Sequence, residues 1–161
     1  MPLEKPAAIE RELDRLKRRI ISAERAGGDR WRQISFAYRA ADSFGKRAFA
    51  ASFCLAEANR GTVCNTGQCC KCRPDVFEYE RSVLDLLPKR SDGSGFCPFF
   101  NLVKRTCGIY GVRPFACRIY YNFASSGHYC TNPSDLTLQL FDGVKRHLET
   151  ILGPYAGGYR P

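Results

Sequence analysis

The chain lacks any apolar run able to cross a bilayer. Its longest apolar-rich stretch, Ala48–Ala56, is far short of the roughly 20 residues that a spanning helix needs. The opening residues, MPLEKPAAIERELDRL, are charged throughout and carry no apolar core of a secretory signal. A cytoplasmic protein with no membrane association is therefore expected. Histidine is nearly absent, with only His128 and His147, so a nucleophile paired with an imidazole base has few candidates. Gly-rich phosphate loops, a dinucleotide fingerprint and the His-Glu-x-x-His pattern are missing as well. These absences remove several common enzyme classes and leave no catalytic residue to name.

Cysteine, by contrast, is abundant. Eight of the nine cysteines, Cys64, Cys69, Cys70, Cys72, Cys97, Cys107, Cys117 and Cys130, fall within one central stretch. Disulfides persist mainly in oxidising compartments. An odd number of thiols without an export signal reads instead as a reduced set that holds metal. The ninth, Cys54, lies inside an apolar helical pattern, where a free cysteine acts as a small hydrophobe. The formal net charge of +9 points to an anionic partner. Metal binding converts thiols to thiolates, and eight of them with two divalent ions would leave about +5. The excess is spread over both halves of the chain with no unbroken basic run, so nucleic acid is only weakly indicated and a protein partner is equally open.

Hydrophobic periodicity predicts a mainly α fold, with a small α+β fold as the variant. Ile9, Leu13, Leu16, Ile20 and Ala23 recur at steps of four and three, the spacing of one helix face. Gly27 and Gly28 stop that helix, and Asp29 is placed to cap the next. The second helix carries Trp31, Ile34, Tyr38, Ala41, Gly45, Ala48, Ser52 and Leu55 on its apolar face, with Gly45 as a point of bending. Pro74-Asp75 reads as the start of a helix reaching Leu87. Ile109-Tyr110 and Arg118–Tyr121 read as short strands. Asn132-Pro133-Ser134-Asp135 opens a last helix through Leu136, Leu140, Val144, Leu148 and Ile151, which Gly153-Pro154 closes before a frayed tail. His147 lies among polar neighbours and reads as surface. The expected organisation is one globular domain. A helical region 1–60 packs on the body, a cysteine-cluster metal-binding core spans 61–132, and 133–161 form a helix and tail.

Cys69 and Cys72 form a Cys-x-x-Cys unit whose tight turn can aim two sulfurs at one ion. Cys97, Cys107, Cys117 and Cys130 come from separate loops that the fold must gather, and His128 is an alternative donor beside Cys130. Eight sulfurs divide into two four-thiolate sites or supply one site with spare thiols. Zinc and iron–sulfur clusters both accept four cysteines. Spacing alone does not choose between them, although the lack of a second Cys-x-x-Cys knuckle tilts the reading toward iron–sulfur. Arg113 and Arg118 are placed to offset thiolate charge. Tyr110, Phe99, Phe100, Phe115 and Tyr120 are placed to wall the site or to form core.

The run FCPFFNLVKRTCGIYGVRPFACRIY, Phe96 to Tyr120, resembles the signature of the bacterial cysteine-cluster family of zinc- or iron-chelating domains. Its elements here are Cys97, then Cys107-Gly108-Ile109-Tyr110, then Arg113-Pro114-Phe115-Ala116-Cys117-Arg118, with Cys69-Cys70 similar to the family's paired cysteines. The gaps around that doublet depart from the family's pattern. The resemblance covers about Cys64 to Cys130 and implies eight cysteine ligands for zinc or an iron–sulfur cluster, in a redox or enzyme-accessory role. The competing expectation is a structural-zinc module that grips a protein or nucleic acid through its basic helices. Cys54→Ala is expected to leave metal content intact and Cys117→Ala to lower it, as measured by elemental analysis; equal losses would put Cys54 in the site.

Overall fold

The computed structural model describes residues 7–49, 68–71, 73–91, 93–121 and 135–159. The fold is mainly α, with two small two-stranded sheets. Helix α1 (Ala7–Arg25) buries Ile9, Leu16, Ile20 and Ala23, the stripe that the periodicity predicts. Gly27 and Gly28 then take positive φ (61° and 87°), a region glycine enters without strain, and the chain reverses. Asp29 caps α2 (Arg30–Phe49): its Oδ1 accepts the Trp31 amide at 3.0 Å.

The inward face of α2 is Ile34, Ala37, Ala40, Ala41, Phe44 and Ala48. Trp31, expected on that face, is 63% exposed, because it lies in the first turn, beyond the end of the helix pair's core. Gly45 does not divide the helix. It is a point of close approach: a Cβ there would stand 2.7 Å from the Tyr121 hydroxyl and 3.1 Å from the Arg118 carbonyl. Ser52, Phe53, Cys54 and Leu55 lie outside the described residues.

The helix expected from Pro74 begins later. Asp75–Phe77 is a strand, β1, and α3 runs from Glu78 to Leu86. Its partner is the tail: β4 (Tyr155–Gly158) pairs antiparallel with β1, and Tyr159 is buried rather than frayed. The pairing is extended at both ends, where Glu78 donates its amide to Pro154 O (2.8 Å) and Tyr159 donates to Pro74 O (2.9 Å). Long-range pairing of this kind leaves no periodic signal in three residues. Successive strand residues point to opposite faces. Phe77 therefore enters the main core with α1, α2 and the last helix, while Val76 enters a smaller cluster with Leu84, Phe99 and Tyr159.

The expected strands at Ile109-Tyr110 and Arg118–Tyr121 are also corrected. Tyr110–Val112 is a 3-10 turn and Phe115–Ile119 is a short helix, α4, which Pro114 precedes. The second sheet is instead a hairpin of β2 (Phe100–Asn101) and β3 (Thr106–Cys107). Helix α5 (Asp135–Leu152) buries Leu140, Val144, Leu148 and Ile151 as predicted and ends at Gly153, φ 82°. His147 is half-buried rather than surface, because its Nδ1 pairs with Glu24 of α1. That bond holds the Glu24 carboxyl below the usual carboxylate range. Each fully buried large side chain of this core stabilises the fold by about 1.5–3 kcal/mol relative to exposure.

Gly45→Ala tests the close approach of α2 and α4. Helix propensity favours alanine by about 1 kcal/mol, but overpacking costs about 1–3 kcal/mol. A net loss on the order of 1 kcal/mol is expected in the urea midpoint; a gain of stability would mean that the contact yields freely.

Candidate functional site

One cavity of about 740 Å³ is lined by Cys69, Cys70, Cys97, Cys107 and Cys117, which are all the cysteines among the described residues, and none of them is in a disulfide. Cys54, Cys64, Cys72 and Cys130, with His128, lie outside the described residues. Four separate pieces of chain bring the five thiols to this cavity. Cys69 and Cys70 sit on a 3-10 turn, Gln68–Lys71. Cys97 follows the Ser94-Gly95-Phe96 bend, and its amide donates to the Cys70 carbonyl at 2.6 Å. Lys71 Nζ stands over the Phe96 ring at 5.0 Å, a second tie between the same two segments.

Cys107 is presented by β3, opposite Phe100. The next residue must be small: the Gly108 amide donates to Phe99 O at 2.8 Å, and a Cβ on Gly108 would lie 2.9 Å from that oxygen. The turn of this hairpin places Arg105 at φ 52°, the one positive-φ residue other than glycine among the described residues. Cys117 comes from α4, whose neighbours Phe115 and Ile119 are fully buried.

The thiols influence one another. Burial pushes the Cys117 thiol up, and Cys97, Cys69, Glu80 and Cys107 push it further. Burial likewise raises Cys97, with Cys107 and Cys69 adding to it, while the Phe99 amide and the Arg90 guanidinium pull it down. Cys69 is raised first by its hydrogen bond with Cys70 and then by burial. Thiols raised in this way are weaker nucleophiles than free cysteine at neutral pH. A cation among them would reverse the repulsion and favour thiolates.

Among the described residues, no three Cys, His, Asp or Glu side chains stand in an arrangement that would hold a metal ion. The donor chemistry nevertheless fits a thiophilic metal, since sulfur is the donor that converges on the cavity. Arg113 lines the same cavity, and its Nε is buried with no partner among the described residues. No family model, curated protein or solved structure matches this chain.

The expected role of Arg118 is corrected by its bonds. Its guanidinium donates to Asp42 Oδ2 (2.7 Å), Gly111 O (2.8 Å) and Arg113 O (3.0 Å), and it stacks over Tyr38 at 4.4 Å. It is a structural clamp on the α4 turn. Arg113 also reaches Asp42, at 3.5 Å, and lies 3.8 Å above the ring of Tyr110, which lines the cavity at its solvent-exposed side. The cation that acts on Cys97 is Arg90, which hydrogen-bonds Ser94 Oγ (3.0 Å), Cys97 O (3.4 Å) and Phe100 O. Nothing in the sequence singles out Arg90, because its role depends on the loop folding back.

Glu80 was equally hidden. It is 2% exposed, and its carboxylate accepts from the Phe115 amide (2.6 Å), the Tyr38 hydroxyl (3.0 Å) and the Phe77 amide (3.1 Å). Burial pushes this carboxyl up, and those three donors with Arg118 pull it back. Its visible signal is a position: it stands three residues after Phe77, where a helix-opening Glu reaches back to a free amide. In Glu80→Gln one oxygen becomes an NH2 that must face a backbone N–H in either orientation, and a buried unmatched donor costs about 1–3 kcal/mol. A fall of that size in urea stability with an unchanged denaturant slope is expected; an unchanged midpoint would show that the lost hydrogen bond to the backbone N–H is dispensable.

Proposed function

We propose that the chain is a cysteine-rich metal-binding protein that holds an iron–sulfur cluster in preference to zinc, in a redox or enzyme-accessory role. The observation that carries this reading is that five free thiols line one cavity. The ligands would be drawn from Cys64, Cys69, Cys70, Cys72, Cys97, Cys107, Cys117 and Cys130. The resemblance of Phe96–Tyr120 to the zinc- or iron-chelating family supports the same set. A cavity of about 740 Å³ lies in the size range of cofactor pockets, which suits a multi-atom cluster better than one zinc ion closed by four sulfurs.

When bound, such a cluster supplies one-electron transfer at a potential set by burial and by hydrogen bonds to sulfur. The chain's own groups serve that chemistry. Phe99, Phe100 and Ile119, all buried at the cavity wall, exclude water. Arg90 and Arg113 bring positive charge to a thiolate-rich site. The Cys97–Cys70 backbone bond fixes the distance between the two cysteine groups. A structural-zinc interaction module is the second reading, favoured by exposed arginines on α1 and α2 that lack acidic partners.

The deciding experiment is an absorption spectrum with elemental analysis of protein purified without oxygen. Brown protein, absorbing broadly near about 400 nm with iron and acid-labile sulfide, is expected. Colourless protein with one or two zinc ions per chain would select the second reading. Metal-free protein whose melting is unmoved by chelators would overturn metal binding altogether.

A further inference from the structure

The α1–α2 hairpin presents a groove that shares no residue with the thiol cavity. It encloses about 540 Å³, with a floor of Ser22, Ala23, Ala26 and Gly27 and a wall formed by Trp31, Arg32, Phe36 and Arg39 of α2. Both aromatics are open to solvent, Trp31 at 63% and Phe36 at 40%. Trp31 is braced from behind by an edge contact with Tyr79, ring centroids 5.6 Å apart. The two stand five residues apart, about 7.5 Å along the helix axis, too far to cover one another.

The charge around this groove is uncompensated. The acidic groups of the hairpin are engaged elsewhere: Glu12 with Arg15 and Arg47, Glu24 with His147, Asp42 with Arg113 and Arg118, and Asp29 at the α2 cap. Glu10 and Asp14 lie a turn or more before Arg18, toward the other end of α1. Arg32 and Arg39 on the wall make no side-chain ion pair or hydrogen bond among the described residues, and neither do Arg18, Arg19 and Arg25. Arg18 and Arg19 precede Ser22 by four and three residues, which puts them on the helix face that floors the groove.

We propose that this groove binds single-stranded nucleic acid, with bases stacking on Trp31 and Phe36 and phosphates meeting Arg32, Arg39 and the α1 arginines. A basic groove with aromatic platforms is the arrangement that sequence-tolerant single-strand binding uses, and guanidinium suits phosphate through its paired donors. An acidic helix would meet the same charges but would need a row of apolar anchors. The exposed wall alternates aromatic with arginine and offers none. The proposal holds whichever metal the cysteines take.

The test uses the full chain and a fluorescently labelled oligodeoxythymidine of about 20 nucleotides, with anisotropy as one readout. The second readout is intrinsic fluorescence, which reports the groove directly because Trp31 is the sole tryptophan. Binding that weakens with salt and quenches Trp31 is expected. Arg32→Gln combined with Arg39→Gln should reduce the slope of log affinity against log salt by about two. Trp31→Ala should weaken binding roughly fivefold to a hundredfold, with melting and metal content unchanged in both variants. No binding at low salt, binding without a tryptophan response, or affinity indifferent to both variants would overturn the proposal. Polyglutamate that displaces the oligonucleotide at equal charge would reassign the groove to an acidic protein partner.

Discussion

One buried carboxylate joins most of the structure. Glu80 accepts hydrogen bonds from the last residue of β1, from the start of α4 and from Tyr38 of α2, three segments that are distant in sequence. A carboxylate this buried is costly unless its lone pairs are matched. The packing of α2 against α4 and the entry of β1 into the core are therefore coupled through one side chain. Arg118, clamped to Asp42 and to two carbonyls on the other side of Tyr38, completes the same polar layer. Cys117 lies on α4 between Phe115 and Arg118, so the position of at least one cavity thiol follows from this network.

The thiols themselves contribute little to holding that arrangement. In the neutral state they line the same cavity as Phe99, Phe100 and Ile119; ionised, they repel. The local scaffold is instead built from backbone bonds and glycine: the Cys97 amide on Cys70, the Gly108 amide on Phe99, and a hairpin turn through Arg105 at positive φ. A site that repels itself when charged is stable only in the company of positive charge, and this is the physical basis for reading it as a metal site.

The two helices at the N-terminal side follow a different economy. Both helices are basic in composition, and Glu24, Asp29 and Asp42 are committed to a cap and to ion pairs with other elements, so the surface near the α1–α2 turn is more basic than the composition alone implies. The basic excess is legible in the sequence, but which acids are engaged is not, since the pairing partners Arg113, Arg118 and His147 are far away in sequence.

Periodicity read α1, α2 and α5 correctly, together with the Gly27-Gly28 stop and the Asp29 cap, because a helix that buries one face writes that face into local spacing. The density of cysteine was legible for the same reason: residue type alone carries it. Ile109-Tyr110 and Arg118–Tyr121 were misread as strands, and β1 with its partner in the tail was missed, because strands of two to four residues draw their stability from a partner tens of residues away. Residue type thus marked Cys69, Cys70, Cys97, Cys107 and Cys117 as a thiol set, and helix spacing settled which helices exist. That these five line one cavity, that Arg90 rather than Arg118 acts on Cys97, and that Glu80 sits unexposed among three donors were decided by the folded chain. Burial and long-range hydrogen bonds belong to pairs of segments, and no single stretch of sequence contains them.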